Sequence, residues 1–106
     1  MTKILLACAG GFSTSILVSK MLTAAEKKGI AVEIEAVAET DVENYPDIDI
    51  LLLGPQIGHR LSMLKKEVKC PVITIDQYDY GTMNGEKVLD FALQQISKME
   101  EEKNEE

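Results

Sequence analysis

The chain has 106 residues, of which 45% are hydrophobic and 27% charged, and this length predicts one domain with a single core. With 18 acidic and 11 basic residues, the formal charge of −7 disfavours contact with the phosphates of nucleic acids. No apolar run approaches the roughly 20 residues of a membrane span, and the start lacks the pattern of a signal peptide. We therefore expect a monomeric cytoplasmic protein, with no nucleic-acid partner and no membrane insertion, consisting of a domain over residues 1–100 and a frayed, charged tail over 101–106.

The first part of the chain predicts two strands with a helix between them. Lys3–Cys8 is almost wholly apolar, which is typical of a strand that is buried on both faces. Ile30–Val37 partly alternates apolar and polar residues, which predicts an edge strand. Helical spacing predicts a helix over 13–28 that Gly29 closes. Its expected apolar stripe is Leu17, Val18, Met21, Leu22 and Ala25.

The middle of the chain repeats this alternation. Thr40–Glu43 fits a capping box that starts a short helix ending before Pro46. Asp49–Leu53 reads as a third, buried strand, and Pro55 suits the first position of the next helix. The expected stripe of that helix is Ile57, Leu61, Leu64 and Val68.

The last part predicts a fourth strand over Pro71–Ile75 and a loop over Asp76–Gly81. Asn84 is a candidate N-cap of the final helix. The expected buried stripe of that helix is Val88, Leu89, Ala92, Leu93, Ile96 and Met99.

Strands that alternate with helices predict an α/β fold: a four-stranded parallel sheet in the order 2-1-3-4 with helices on both faces, flavodoxin-like or low-molecular-weight-phosphatase-like. Ligands of such sheets bind at the carboxyl ends of the strands, where residues 8–15, 54–60 and 76–81 should converge. Cys70 should lie at the opposite edge from Cys8, about 17–20 Å away. Both cysteines are therefore expected to be free thiols.

The most informative stretch follows the first strand. It reads Cys8, Ala9, Gly10, Gly11, Phe12, Ser13, Thr14 and Ser15. Glycines that let backbone N–H groups turn inward, next to a helix N-terminus, favour a bound phosphate, and the same surroundings stabilise a reactive thiolate. In the simpler interpretation, Cys8 is a small buried hydrophobic residue, and one of the three hydroxyl residues is an N-cap.

Two related phosphate loops differ from this one. No lysine occurs between Ala9 and Val18, which excludes a Walker A nucleotide site. In a tyrosine-phosphatase loop an arginine would stand where this chain has Thr14. Without that guanidinium a phosphorylated cysteine would hydrolyse less readily, which suits a carrier better than a phosphatase.

Other side chains near the expected carboxyl edge are open to two interpretations. His59 is more readily a solvated surface residue than a metal ligand, because no Cys, Asp or Glu lies at ligand spacing, so we expect no metal. Arg60 either reaches an acidic partner or lies on a solvated helix face. Tyr80 either flanks the pocket or packs its ring beside Gly81.

The cysteine loop, the turn Leu52–Ile57, Asp76–Gly81 and Asn84-Gly85 together resemble the enzyme IIB component of the sugar phosphotransferase system, lactose/cellobiose (N,N'-diacetylchitobiose) class. The resemblance implies that Cys8 takes a phosphoryl group from phosphohistidine on enzyme IIA and donates it to a sugar bound by the membrane transporter enzyme IIC. It also implies that Ala9–Ser15 cradle the phosphate and that no cofactor is needed. Gln56, Tyr80 and Gly81 would flank this pocket.

Two other functions remain open at this level. A cysteine-dependent phosphatase would hydrolyse phosphate esters unaided, and a regulatory anion-binding domain would hold phosphate without a covalent bond. For a carrier, the partner surface must be the carboxyl edge, where Phe12 and Ile57 would suit a transient interface.

Overall fold

The computed structural model describes residues 1–8 and 12–104. Its four strands are β1 (Thr2–Cys8), β2 (Val32–Ala38), β3 (Ile50–Leu53) and β4 (Val72–Thr74). They form one parallel sheet in the order β2-β1-β3-β4, in which Leu6 pairs with Ala36 on one side and Leu52 on the other. The predicted topology is confirmed, and β2 lies at a sheet edge as expected.

The two central strands are buried on both faces. Residues 4–8 of β1 and all four residues of β3 are buried, as their continuous apolar runs predict. Alternate side chains of β1 enter different cores, since Ile4 and Leu6 pack on one face of the sheet and Leu5 and Ala7 on the other. The strand is therefore fixed from both sides up to its last residue, Cys8.

Helix α1 (Phe12–Lys28) packs on the Leu6 face of the sheet. Leu17, Met21 and Ala25 are buried as predicted, but Leu22 is 41% exposed. Ala24 is the further buried residue of this face; the i, i+4, i+7, i+8 spacing from Leu17 selects it rather than Leu22.

The end of α1 is as predicted. Gly29 has a φ of 68°, and the Ile30 N–H donates to the Ala25 carbonyl at 2.9 Å. This six-residue hydrogen bond is the Schellman arrangement, in which glycine adopts the left-handed conformation without a Cβ penalty.

The crossovers on the other face have about the predicted extent but differ from the prediction in helix type. Glu39–Asn44 is a 3₁₀ helix whose N-cap is Ala38, without a side-chain cap, so the predicted capping box at Thr40 is wrong. Thr40 already lies inside the helix. The chain after β3 forms a 3₁₀ helix (Pro55–Arg60) with Pro55 in its first turn, followed by α2 (Leu61–Glu67).

This second crossover is not one regular helix. Ile57 has φ −116° and ψ 22°, which is not helical, and Val68 is extended beyond the end of α2. Ile57 and Leu64 are nevertheless buried in the core of the Leu5 face. The irregular backbone at Ile57 therefore still allows both side chains to pack in the core.

The stretch that we expected to be a loop contains a short helix, α3 (Gln77–Gly81). The Asp76 side chain accepts hydrogen bonds from the backbone N–H groups of Tyr78 and Asp79 at 3.0 and 3.1 Å, which offsets the missing helical partners at this end. Sequence pattern alone misses a helix of this length because it has too few residues for a recognisable period.

The final helix is α4 (Gly85–Asn104). Asn84 caps it as predicted, because its Oδ1 accepts from the Lys87 N–H at 3.2 Å. Val88, Leu89 and Ala92 are buried, whereas Met99 is 37% exposed. The helix continues to Asn104, beyond the start of the predicted tail at residue 101, while the proposed division into domain and tail stays a prediction.

Helices α1 and α4 approach each other closely at Gly85. A Cβ atom built there would lie 2.5 Å from the backbone carbonyl carbon of Lys20 and 2.6 Å from the Met21 nitrogen. At the C-terminal end of α1, Lys28 pairs with Asp90 of α4 at 2.6 Å. The two helices therefore lie side by side on the Leu6 face of the sheet.

Candidate functional site

Cys8 is the last residue of β1, at the carboxyl edge of the sheet between β2 and β3. Its side chain is 6% exposed. The alternation along β1 directs it to the same face as Ile4 and Leu6, where α1 packs. The Sγ atom lies 4.0 Å from the Val37 carbonyl oxygen.

Among the described residues, Thr14 makes the shortest polar contact with the thiol. Its hydroxyl donates to Cys8 Sγ at 3.0 Å, and the side chain is only 2% exposed. Because α1 begins at Phe12, Thr14 already lies in the first helical turn, and so do Ser13 and Ser15. The expectation that one of these residues is an N-cap is therefore wrong, and the Thr14 hydroxyl bonds the cysteine instead.

The N-terminus of α1, which is the positive end of the helix dipole, lies next to this thiol. The first four N–H groups of an α-helix have no partner within the helix, and they favour a negative charge placed beside them. The Thr14 contact fixes this helix end next to Cys8. The predicted cradle residues Ala9, Gly10 and Gly11 lie outside the described residues, as do the side chains of Phe12 and Ser13, while Ser15 is exposed.

Tyr80 reaches the site from α3. Its hydroxyl lies 3.3 Å from Thr14 Oγ1, and its residue is 8% exposed. The ring packs in the core of the Leu6 face, and a pocket-flanking role for Tyr80 stays a prediction. The ring is a core residue and the hydroxyl is part of the site.

Gln56 and Gly81, which were also expected to flank the pocket, differ in position. Gln56 is exposed, and its Oε1 lies over Gly54, where an added Cβ would be 2.9 Å from that oxygen and 3.5 Å from the Cys8 Cβ. Gln56 is thus next to the cysteine with one glycine between them. Gly81 is the exposed last residue of α3, and an added Cβ would meet no atom within 4 Å.

Ile57 cannot contribute to a docking surface as expected, because it is only 3% exposed. Its side chain is held in the core of the Leu5 face. Among the side chains that the structure describes, exposed apolar ones near this edge lie on α1 and α3. Ile16 on α1 is 51% exposed and Tyr78 on α3 is 71% exposed.

His59 is exposed, as its solvated interpretation predicts. Arg60 instead folds toward Glu39, with its Nε 3.7 Å from Glu39 Oε1, and both side chains are mostly buried. No residue in the described part of the chain offers that Nε a hydrogen-bond acceptor within range. Arg60 therefore connects the two 3₁₀ helices and does not extend freely from the surface.

Sequence reasoning missed the pair of hydroxyls next to the thiol, Thr14 in contact with Cys8 and Tyr80 in contact with Thr14. It treated Thr14 as part of a cradle and Tyr80 as a flanking residue, whereas the two hydroxyls bond each other across 66 positions of the chain. Nothing in the local sequence indicates such a pair. The only signal was topological, since the loops after the first and fourth strands were both expected at the carboxyl edge.

The architecture defines a class: a single flavodoxin-like α/β domain with a buried cysteine where the central strand meets a helix N-terminus. The family model described as "PTS system, Lactose/Cellobiose specific IIB subunit" matches residues 3–91. The chain therefore belongs to this family of phosphotransferase system IIB subunits.

Two similar proteins support this family assignment. The galactose-specific EIIB component of Lactococcus lactis subsp. cremoris is 43% identical over 81% of this chain and 88% of that protein. The oligo-beta-mannoside-specific EIIB component of Bacillus subtilis is 41% identical over 88% of this chain and 94% of that protein. The chain is therefore similar to sugar-specific IIB components over most of their length.

Solved structures match as well. The cellobiose-specific IIB protein of Borrelia burgdorferi superposes with a TM-score of 0.78 at 42% identity, covering 92% of this chain and 93% of that one. The lactose-specific IIB domain of Streptococcus pneumoniae gives 0.79 at 19% identity, over 89% and 96%, which supports the fold alone. Within residues 1–8 and 12–104, no helix has both the length and the apolar character needed to cross a bilayer.

Proposed function

We propose that this chain is a phosphoryl carrier in sugar uptake, which accepts phosphate on Cys8 from a phosphohistidine of enzyme IIA and donates it to a sugar bound by enzyme IIC. The observation that carries the proposal is the contact between Thr14 Oγ1 and Cys8 Sγ at 3.0 Å, at the start of α1. A hydroxyl donor and a helix N-terminus both favour the thiolate, which is the nucleophilic form of cysteine.

In the first transfer the Cys8 thiolate attacks the phosphorus of the phosphohistidine. The S–P bond forms while the P–N bond breaks, and its electron pair stays on the histidine nitrogen. With the other ring nitrogen protonated, the histidine leaves as neutral imidazole. In the second transfer a sugar hydroxyl attacks phosphorus, the electron pair of the S–P bond returns to sulfur, and a base of the transporter takes the hydroxyl proton.

Positioned hydrogen-bond donors are the main requirement of such a reaction. Phosphoryl transfer has a loose transition state with charge spread over the equatorial oxygens, so donors fixed around it account for most of the catalysis. We assign this role to the backbone N–H groups of Ala9–Ser15, with the Ser13 and Ser15 hydroxyls as further candidates. The Thr14 hydroxyl proton is already donated to Cys8 Sγ, so this residue would bind the phosphoryl group through its backbone N–H. No metal or cofactor takes part in the proposed reaction.

The same site is less suited to hydrolysis. Thr14 stands where a phosphatase loop would place its arginine, and its side chain is occupied by Cys8 and Tyr80. Without a guanidinium clamp the phosphocysteine lacks a bidentate partner that steadies the transferred charge. The phosphoryl group would therefore stay on sulfur long enough to be passed to another protein.

Docking must bring a second protein to the carboxyl edge, because Cys8 has to approach a histidine within bonding distance. Ile16 and Tyr78 are exposed apolar side chains on the helices that begin at this edge. They suit a small transient interface for enzyme IIA and then for the cytoplasmic side of enzyme IIC.

We propose that the transporter selects the sugar. The relatives of 41–43% identity are described as specific for galactose, cellobiose and oligo-beta-mannoside, so similarity at this level does not distinguish sugars. This is expected when the carrier contacts the phosphoryl group rather than the sugar ring.

The test is to incubate the chain with phosphoenolpyruvate, the general phosphotransfer proteins and a cognate enzyme IIA, followed by peptide mass mapping. The expected result is one phosphoryl group on the peptide that contains Cys8, formed only when enzyme IIA is present. A label on another residue, or none, would overturn the proposal. Steady turnover of an aryl phosphate by the chain alone would support a phosphatase instead.

A further inference from the structure

We infer that Tyr80 is a positioning residue for Cys8: its hydroxyl donates to Thr14 and thereby directs the single Thr14 hydroxyl proton onto the cysteine sulfur. The inference rests on three atoms that lie in sequence from the core to the thiol: Tyr80 OH, Thr14 Oγ1 and Cys8 Sγ. Tyr80 OH lies 3.3 Å from Thr14 Oγ1, which lies 3.0 Å from Cys8 Sγ. Where phosphoryl transfer is concerned, the inference rests on the proposed function of Cys8.

The direction of the hydrogen bonds follows from counting protons. A threonine hydroxyl has one proton to donate and lone pairs that accept. The Thr14 proton is used on Cys8 Sγ, so in the contact with Tyr80 the tyrosine must donate and Thr14 must accept. Without the Tyr80 hydroxyl, Thr14 would lose the donor that holds its own hydroxyl in this rotamer.

The burial of Cys8, Thr14 and Tyr80 increases the effect of each hydrogen bond between them. Cys8, Thr14 and Tyr80 are 6%, 2% and 8% exposed, so water has little access to replace a missing donor. Hydrogen bonds in such surroundings are electrostatically stronger than in water, and a donor that is itself an acceptor becomes more polarised. The hydrogen bond from Thr14 to a thiolate should therefore be stronger with Tyr80 behind it.

Both half-reactions would use the same hydroxyls. In the first the thiolate is the nucleophile, and in the second it is the leaving group. A donor to sulfur therefore favours formation of the thiolate that begins the first transfer and of the thiolate that ends the second. Tyr80 should thus influence how readily phosphate is accepted and how readily it is passed on. Because its hydroxyl is buried, it should not change how tightly enzyme IIA binds.

The experiment uses the intact chain and two readouts. The first is the rate at which iodoacetamide alkylates Cys8, measured by peptide mapping, with Cys70 in the same molecule as an internal control. We expect Thr14→Val to lower the Cys8 rate about three- to tenfold and Tyr80→Phe about two- to threefold. These ranges allow for the loss of a hydrogen bond to a charged group and for the higher intrinsic reactivity of a more basic thiolate.

Matched controls separate this effect from damage to the fold. Thr23→Val removes an exposed hydroxyl of the same helix, and Tyr45→Phe removes a phenol far from Cys8, so both should leave the Cys8 rate unchanged. Thr14→Ser keeps the hydroxyl and should restore most of the rate. A Tyr80→Phe variant that alkylates Cys8 as fast as the unchanged chain would overturn the inference.

The second readout is phosphoryl transfer from enzyme IIA at varied donor concentration. Tyr80→Phe should lower the maximal rate about two- to threefold and leave the donor concentration for half-maximal rate unchanged, since the tyrosine hydroxyl does not face the partner. An effect on the half-maximal concentration alone would contradict a positioning role. If the unchanged chain takes no label on Cys8, the proposed function fails, whereas the alkylation rates still test the hydroxyl pair.

Discussion

Cys8 and Cys70 are the two thiols of one sheet, and they lie at its opposite edges. Cys8 ends β1 at the carboxyl edge, beside the Thr14 hydroxyl and the first turn of α1. Cys70 precedes β4 at the amino edge, half-buried near the carboxylate of Asp49. Burial raises the pKa of the Cys70 thiol and Asp49 adds to this, while the backbone N–H groups of Cys70 and Leu51 act in the opposite direction.

From these two cysteines we infer that the edge of a parallel sheet decides what chemistry a buried thiol can perform. At the carboxyl edge, helices present their N–H ends, so negative charge on sulfur or on a phosphoryl group is favoured. At the amino edge, helices present carbonyl ends, and here a carboxylate is added. The same residue type is suited to anion chemistry at one edge and remains a protonated side chain at the other.

The largest expected effect comes from removing each thiol in turn. Cys8→Ser should lower phosphoryl acceptance from enzyme IIA by about a thousandfold or more, because a serine hydroxyl at neutral pH is a far weaker nucleophile than a thiolate. Cys70→Ser should leave acceptance unchanged. The measurement is label per chain at early times; equal loss in both variants would remove the distinction between the two edges.

A second pair of variants tests whether the two edges are independent. Asp76→Ala removes the cap of α3, and Asp49→Ala removes the acceptor of the Lys3 N–H at 2.8 Å. Each should lower the free energy of unfolding by about 1 kcal/mol. Only Asp76→Ala should slow alkylation of Cys8, because α3 carries Tyr80, and only Asp49→Ala should speed alkylation of Cys70.

Denaturation in urea gives the two stabilities, and peptide mapping gives the two alkylation rates from the same samples. If Asp49→Ala slowed Cys8 as much as Asp76→Ala does, general loosening of the sheet would explain the result. The cap of α3 would then have no specific connection to the site.

The smallest expected effect is the contribution of Cys70 to the pH dependence of the unfolding free energy. The folded pKa of Cys70 is raised, so the unfolded chain releases this proton first as the pH rises past about 8.5. The stabilisation associated with the protonated thiol is complete below that pH and is lost as the pH rises through the folded pKa. Unfolding free energies between about pH 7.5 and about pH 10 should therefore fall more in the unchanged chain than in Cys70→Ser; identical slopes would contradict this.

Much of the fold could be predicted from the sequence because its two central strands are continuous apolar runs. Residues 4–8 and Ile50–Leu53 are buried on both faces, and this leaves a pattern that few other structures produce. Together with the intervening helices, the runs were enough to predict the order β2-β1-β3-β4 and to put Cys8 at the carboxyl edge. The cysteine was recognisable because a glycine loop and a helix follow it.

The remainder could not be predicted because it depends on distant contacts. The Thr40 capping box is a valid local pattern, yet the chain begins its 3₁₀ helix at Glu39. Ile57 reads as an edge residue until its side chain is seen in the core. The Thr14–Tyr80 contact likewise requires the third dimension, since its two residues belong to separate elements.

The close approach at Gly85 has a consequence for how freely this chain can vary. Any side chain there would begin with a Cβ only 2.5 Å from the backbone of Lys20, and backbone atoms cannot rotate away as a flexible side chain can. In a library that randomises position 85, recovery of folded chains should return glycine almost exclusively. Neighbouring Glu86 and Lys87 are exposed, so most substitutions there should leave the chain folded. The tolerance to substitution should therefore change abruptly within one turn of α4.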